Sequence, residues 1–273
     1  IYDFSSALTS FPKNIAENGT SMLLLSNGGN TLYASCGNVR EGMPNVKEDM
    51  EAYAENILRT IEQSNGAIKY VEIWNEPNIT TFNRLKRTPE EYAELLKVCY
   101  PIIKNKYPDI AVIGCSTAGV DFDWIERTFA AGGYDYMDAV SVHPYDWSGT
   151  LRYDYYHEIM GKLKETMAKY GDMKPIWATE LGWATSTCTE EEQARYLVQS
   201  YAFLKANDYC DVITMYEFQN SGTDALDQEH NFGMINYYEN SSTEINTLFT
   251  GGVGIDVKFE DVSTPWSAKP SYL

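Results

Sequence analysis

The sequence predicts an α/β fold of the (β/α)8 barrel kind, on three observations. Short apolar runs alternate with longer amphipathic stretches six times along the chain, the pattern of a parallel sheet covered by helices. No run is followed by GxGxxG, and GxxxxGKS/T is absent, so the nucleotide-binding doubly wound folds lack their fingerprint. The chain has 273 residues, of which 44% are hydrophobic and 22% charged. That suits one barrel-sized domain, because such barrels run to about 250 residues as a single unit.

Each element has a local reason. Residues 8–18 read as a weak helix interrupted by Pro12, and 21–26 as a strand that ends in Asn27-Gly-Gly-Asn30. Residues 47–64 form a clear helix, since Met50, Tyr53, Ala54, Ile57, Leu58 and Ile61 recur at i, i+3, i+4 spacing. A strand over 70–74 follows. Thr88-Pro-Glu-Glu supplies an N-cap, a proline at the first helical position and acids in the first turn, and opens a helix to about Lys106. Next come a strand over 110–115 and a helix over 123–131 stopped by Gly132-Gly133. A strand over 139–142 runs into His143-Pro-Tyr145, and a helix over 153–170 is closed by Gly171. A strand over 175–179 ends at Glu180, Thr189-Glu-Glu-Glu opens a capped helix to about Asn207, and 212–218 is the last strand. After about Asn236 the rhythm fails, and 237–273 reads as a hairpin or irregular tail with the start of a last helix at Lys269-Pro-Ser-Tyr272. With no Pro/Ser/Gly linker and no repeat, 1–273 counts as a single domain.

Charge narrows the partners. With 39 Asp plus Glu against 21 Lys plus Arg the formal charge is -18, which repels phosphate backbones and anionic lipid and disfavours nucleic acid and polybasic membrane binding. The longest apolar runs are strand-sized, far short of the roughly 20 residues that span a bilayer. Neutral partners remain, and 21 Tyr with 6 Trp can line a cleft whose ring faces stack on a sugar, as well as fill a core. Cys36, Cys99, Cys115, Cys188 and Cys210 show no CxxC spacing, against a disulfide framework and a structural zinc site.

The polar residues at strand ends point to chemistry. Tyr70-Val-Glu-Ile-Trp-Asn-Glu-Pro-Asn78 passes from strand into Asn75 and Glu76, and Ile176-Trp-Ala-Thr-Glu-Leu-Gly-Trp183 delivers Glu180 in the same way. Two carboxylates at the C-terminal ends of parallel strands occupy the face where a barrel builds its site. At a separation of about 5 Å one attacks an anomeric carbon while the other protonates the leaving oxygen, and mutual repulsion with partial burial splits their pKa values. Asn75 is placed to bond the neighbouring substrate hydroxyl, and His143 and Tyr145 to orient substrate and nucleophile respectively.

Trp74-Asn-Glu-Pro-Asn78, His143-Pro-Tyr145 and Thr179-Glu-Leu-Gly-Trp183, in this order and with the two glutamates about a hundred residues apart, resemble the signature series of glycoside hydrolase clan A, the retaining (β/α)8 glycosidases. Tyr216-Glu-Phe-Gln-Asn-Ser-Gly222, Glu229-His-Asn-Phe-Gly233 and Lys269-Pro-Ser-Tyr272 resemble the closing segments of family 39, which includes β-xylosidases. The resemblance implies that Glu76 is the acid/base at the end of the fourth barrel strand and Glu180 the nucleophile at the end of the seventh. It places Asn75 on the 2-hydroxyl, His143 and Tyr145 in the glycone subsite, and an aromatic at the end of the eighth strand, Tyr216 or Phe218, on its floor with Trp183 nearby. Glu217 points to the opposite face of a regular strand and is left out. No metal or organic cofactor is implied.

On this resemblance the chain departs from the family at its front. If 70–74 is the fourth strand, then 21–26 is the third, and strands 1 and 2 are lacking, together with an early-strand Arg near the nucleophile. Ile1 reads as the start of a processed or cut chain. The gap is closed by a preceding segment or a second chain, or by the tail after Asn236, or else the barrel is an inactive fragment. The expected function is a retaining O-glycosidase for neutral polysaccharide or oligosaccharide, extracellular because polymers are outside the cell. The alternative is a carbohydrate-binding pseudoenzyme.

Overall fold

The computed structural model describes residues 21–27, 33–37, 39–237 and 269–272. Six strands form one sheet in sequence order, β1 (Met22–Ser26), β2 (Ile68–Ile73), β3 (Ala111–Ala118), β4 (Ala139–His143), β5 (Ile176–Leu181) and β6 (Val212–Met215), and each pairs in parallel with the next. Five helices intervene, α1 (Lys47–Gln63), α2 (Pro89–Lys106), α3 (Phe122–Ala130), α4 (Tyr153–Met167) and α5 (Glu190–Ala206). This is a half-barrel, a truncated (β/α)8 architecture: among the described residues β1 and β6 each have one neighbouring strand. The expected helix at 8–18 and most of the tail lie outside the described residues, and Pro270–Tyr272 forms a single 3-10 turn.

The helices cover the outer face. The six apolar positions of α1 singled out by their spacing are all buried. They join Tyr92, Leu95, Leu96, Cys99 and Ile103 of α2 and the outward side chains of the strands in one continuous core. Both expected N-caps form, and each is a capping box. The Thr88 hydroxyl accepts from the Glu91 N–H at 3.3 Å while the Glu91 carboxylate accepts from the Thr88 N–H at 2.8 Å, and Thr189 and Glu192 repeat the exchange at 3.2 and 2.9 Å. All five cysteines are free thiols, four of them buried. No described helix is long and apolar enough to cross a membrane.

The inner face is layered by the two-residue period of the strands. Leu23, Tyr70, Ile113, Ala139, Trp177 and Val212, one from each strand, make an apolar layer, with the Tyr70 and Trp177 rings 4.8 Å apart. Two residues on, β2, β4 and β5 present Glu72, Ser141 and Thr179, all buried.

Two strands depart from expectation. β3 continues to Ala118 because its pairing with β4 slips between Gly114 and Thr117, where Cys115 and Ser116 take φ of 81° and 45°. β6 stops at Met215, three residues before the expected end at Phe218, and the next peptide, Tyr216–Glu217, is cis. The regular alternation that set Glu217 aside therefore does not extend to it.

Candidate active site

Glu76 is held by contacts that explain its whole motif. Trp74, φ 70°, is fully buried and donates from Nε1 to the Phe82 carbonyl at 2.8 Å. The Asn78 side chain clasps Ala118, accepting from its N–H at 2.9 Å and donating to its carbonyl at 3.1 Å. Glu76 itself has φ 42°, and its N–H donates to the Ser116 carbonyl at the β3 irregularity, 2.8 Å away. Left-handed backbone at non-glycine residues costs of order 1–3 kcal/mol each and persists where the surroundings over-determine it. Tyr92 of α2 supplies part of that determination, donating to Ile73 at the end of β2 and accepting from the Cys115 N–H, at 2.8 and 3.0 Å.

Glu180 is the penultimate residue of β5, where pairing with β6 slips between Ala178 and Leu181. Gly182 explains the Glu-Leu-Gly spelling, because a Cβ there would lie 1.9 Å from the Tyr216 carbonyl oxygen. The two carboxylates meet around His143, the last residue of β4, which is fully buried. Its Nδ1 is 2.8 Å from Glu76 Oε1 and 3.5 Å from Glu180 Oε2, and one ring nitrogen with one oxygen of each carboxylate lie within 4.8 Å of one another. The Tyr145 hydroxyl donates to Glu180 at 3.0 Å. The side chains of Glu76 and Glu180 keep 13% and 24% exposure, so solvent reaches both. One imidazole and two carboxylates can also ligate a divalent cation.

Electrostatics separates the groups. Burial pushes Glu180 above the ordinary carboxylate range, aided by the charges of Glu76 and Glu72 and opposed by His143 and the Tyr145 hydroxyl. Burial disfavours an imidazolium at His143, but the bond to Glu76 and the charges of Glu180 and Glu72 outweigh it, so the ring holds its proton above its usual value. Burial and the charge of Glu180 push Tyr145 far up, keeping it a neutral donor.

Of the remaining expected residues, Asn75 is buried with its Oδ1 unpartnered, a free acceptor beside Glu76. Tyr216 meets Tyr145 edge-on at 6.5 Å and donates to Glu229 at 3.3 Å. Trp183 lies under the site at 2% exposure, packed on Tyr196, so its ring offers no open face to a sugar. Phe218 is 40% exposed beyond the end of β6. The structure adds residues that the sequence reading left out. Glu72, 1% exposed, accepts from Thr179 at 2.8 Å below the site, and burial raises its pKa. It lies on the period-two face of Tyr70, which only the neighbouring strands reveal as the interior. Phe232 packs between Tyr145 and Tyr216. Glu217 is pushed up to about 7 by burial and by Glu229, and it senses the charge of Glu180.

Residues 39–248 match the glycosyl hydrolase catalytic core family. The chain belongs to that family. Among solved structures it resembles a family 39 glycoside hydrolase from Bacteroides cellulosilyticus, with a TM-score of 0.71 and 23% identity over 96% of this chain and 51% of that one. A monomeric β-xylosidase from Caulobacter crescentus matches with a TM-score of 0.51 and 20% identity over 70% of this chain and 42% of that one. A β-glucuronidase from Bacteroides uniformis matches at 0.52 and 15% over 72% and 25%. At these identities the likeness is one of fold, the fold expected from the clan A motifs, and this chain spans about half the length of the first of these proteins. Among curated proteins none matches. Within the glycosyl hydrolase family, the paired glutamates at the ends of β2 and β5 mark the candidate active site.

Proposed function

We propose that this glycosyl hydrolase core works by double displacement on neutral β-glycosides, with Glu180 as nucleophile and Glu76 as acid/base. The observation that carries the reading is proximity: one oxygen of each carboxylate lies within 4.8 Å of the other, which favours the close pair of retaining enzymes, about 5–5.5 Å apart, over the about 6.5–9.5 Å of inverting ones. Glu180 attacks the anomeric carbon as the glycosidic C–O bond breaks, and the leaving oxygen takes the proton of Glu76. Water then attacks the same carbon, its proton passes to Glu76, and the bond to Glu180 breaks. His143 lies against both carboxylates and steadies the charge that moves between them, Tyr145 aims Glu180, and the free Oδ1 of Asn75 receives the 2-hydroxyl.

The charge balance supports a neutral substrate. The formal charge of -18 means that a uronate carboxylate approaches a protein of like charge. Glu180→Ala lowers kcat on aryl xylosides and glucosides on the order of 10⁴-fold or more, and azide restores turnover as the glycosyl azide of inverted configuration, read by NMR. Near-normal hydrolysis by that variant sinks the assignment. Sugar affinity with no turnover by the parent chain supports the pseudoenzyme instead.

A further inference from the structure

The loop after β4 carries Trp147, which is 59% exposed. A ring of this size normally buries about 150–250 Å², and the more exposed apolar side chains, Leu226 and Val198, are aliphatic. Trp147 instead belongs to the site. Its ring lies parallel to that of Tyr145, 4.7 Å away at 24°, and meets the edge of Phe232 at 6.5 Å. Tyr145 is the residue that donates to Glu180. One face of the indole is therefore fixed one ring's thickness from the nucleophile's partner, and the opposite face is open.

The mount is stiff. Asp146, whose side chain is fully buried, accepts from Arg152 Nη2 at 2.7 Å and Nε at 3.1 Å, and from the Ser148 hydroxyl at 2.7 Å and N–H at 3.2 Å. The hollow beside Trp147, edged by Thr187 and Gln228, is the size of a single water, so a sugar lies on the indole face and not in the hollow. An immobilised flat apolar face with the polar side chains of Thr187 and Gln228 at its margin suits the C–H face and equatorial hydroxyls of a pyranose.

We propose that Trp147 is the platform of a second sugar subsite, binding the unit next to the one cleaved, so that the protein prefers a neutral β-linked oligosaccharide of several units over a simple glycoside. This rests on the glycosidase reading of the same site for its meaning, but the test separates the two. In a Glu180→Gln background, which stops hydrolysis, xylotetraose, cellotetraose, mannotetraose and laminaritetraose are titrated by calorimetry into proteins with Trp, Phe or Ala at position 147. Trp147→Ala weakens the tightest of the four about tenfold, and Trp147→Phe recovers part of the loss, which a merely structural role would not produce at an exposed ring. In the active chain, Trp147→Ala raises KM for that tetrasaccharide relative to KM for the matching glycosyl fluoride by a similar factor. Equal affinities with Trp and Ala, or no binding of any of the four by the Trp147 protein, overturn the platform. Binding that depends on Trp147 in a parent chain without turnover keeps the platform and removes the glycosidase assignment.

Discussion

Two adjacent layers of the same half-barrel interior differ in everything except their strands. The lower one, Leu23, Tyr70, Ile113, Ala139, Trp177 and Val212, is apolar and closed by ring contact. The upper one is a polar lattice. Thr179 donates to Glu72 at 2.8 Å, and Ser141 accepts from the Ser116 N–H at 3.0 Å while donating to Gly114 at 3.1 Å. The Ser116 hydroxyl lies 3.4 Å from His143 Nε2. One step of two residues along β2, β4 and β5 converts packing into proton-bearing groups. The lower layer gives stability through apolar packing. The upper layer keeps charge near its working geometry at the cost of burying Glu72 and His143.

The sharpest way to break this contrast is Trp177→Ala, which opens a cavity in the lower layer and costs about 3–5 kcal/mol, measured by urea unfolding. If instead it abolished turnover at unchanged stability, the division of labour would be wrong. Tyr145→Phe acts on the other side, removing the hydroxyl that favours ionised Glu180. It lowers kcat by about 10- to 100-fold and moves the acid limb of kcat/KM to higher pH, because that hydroxyl holds the Glu180 pKa down. Thr179→Val leaves Glu72 short of a donor and destabilises by about 1–3 kcal/mol, an effect the double variant with Glu72→Leu reduces.

The smallest effect concerns pH. Glu72, Glu180 and Glu217 hold protons better folded than unfolded, so the folded state binds more protons and stability falls as pH rises above the ordinary carboxylate range. For Glu217 the window closes at about 7. His143, also raised, adds stability at low pH that is lost as pH rises through its folded pKa. Melting between pH 5 and 7.5 therefore shows Tm falling with pH, and Glu217→Gln flattens the slope. An unchanged slope places that carboxyl in ordinary solvent.

Much of this was legible beforehand for a physical reason. The strands and helices carry strong periods, and the capping threonines and proline mark boundaries chemically. Glu76, Glu180, His143 and Tyr145 stand at strand ends, where order along the chain alone brings them to one face. The omissions share a cause as well. Glu72 is a charge in mid-strand, which alternation treats as an outward residue until the neighbouring strands show that its face is the interior. Glu217 depended on β6 continuing regularly, and Trp147 is a loop aromatic with no period to report it. Trp183 shows the converse: a tryptophan beside a candidate catalytic glutamate can be packing.

The two capping boxes bear on motion. β2 and β5, which deliver Glu76 and Glu180, are each followed by a loop ending in a Thr-x-x-Glu box, at Thr88 and at Thr189. Both carboxylate-bearing loops are thus clamped at their far ends by reciprocal side-chain bonds as well as at the sheet. The amide protons of Glu91 and Glu192 accordingly exchange with solvent more slowly than those of an uncapped first turn such as that of α4, whose N-cap residue Arg152 makes no side-chain cap bond. Thermal fraying of the helix starts is kept from reaching the two glutamates.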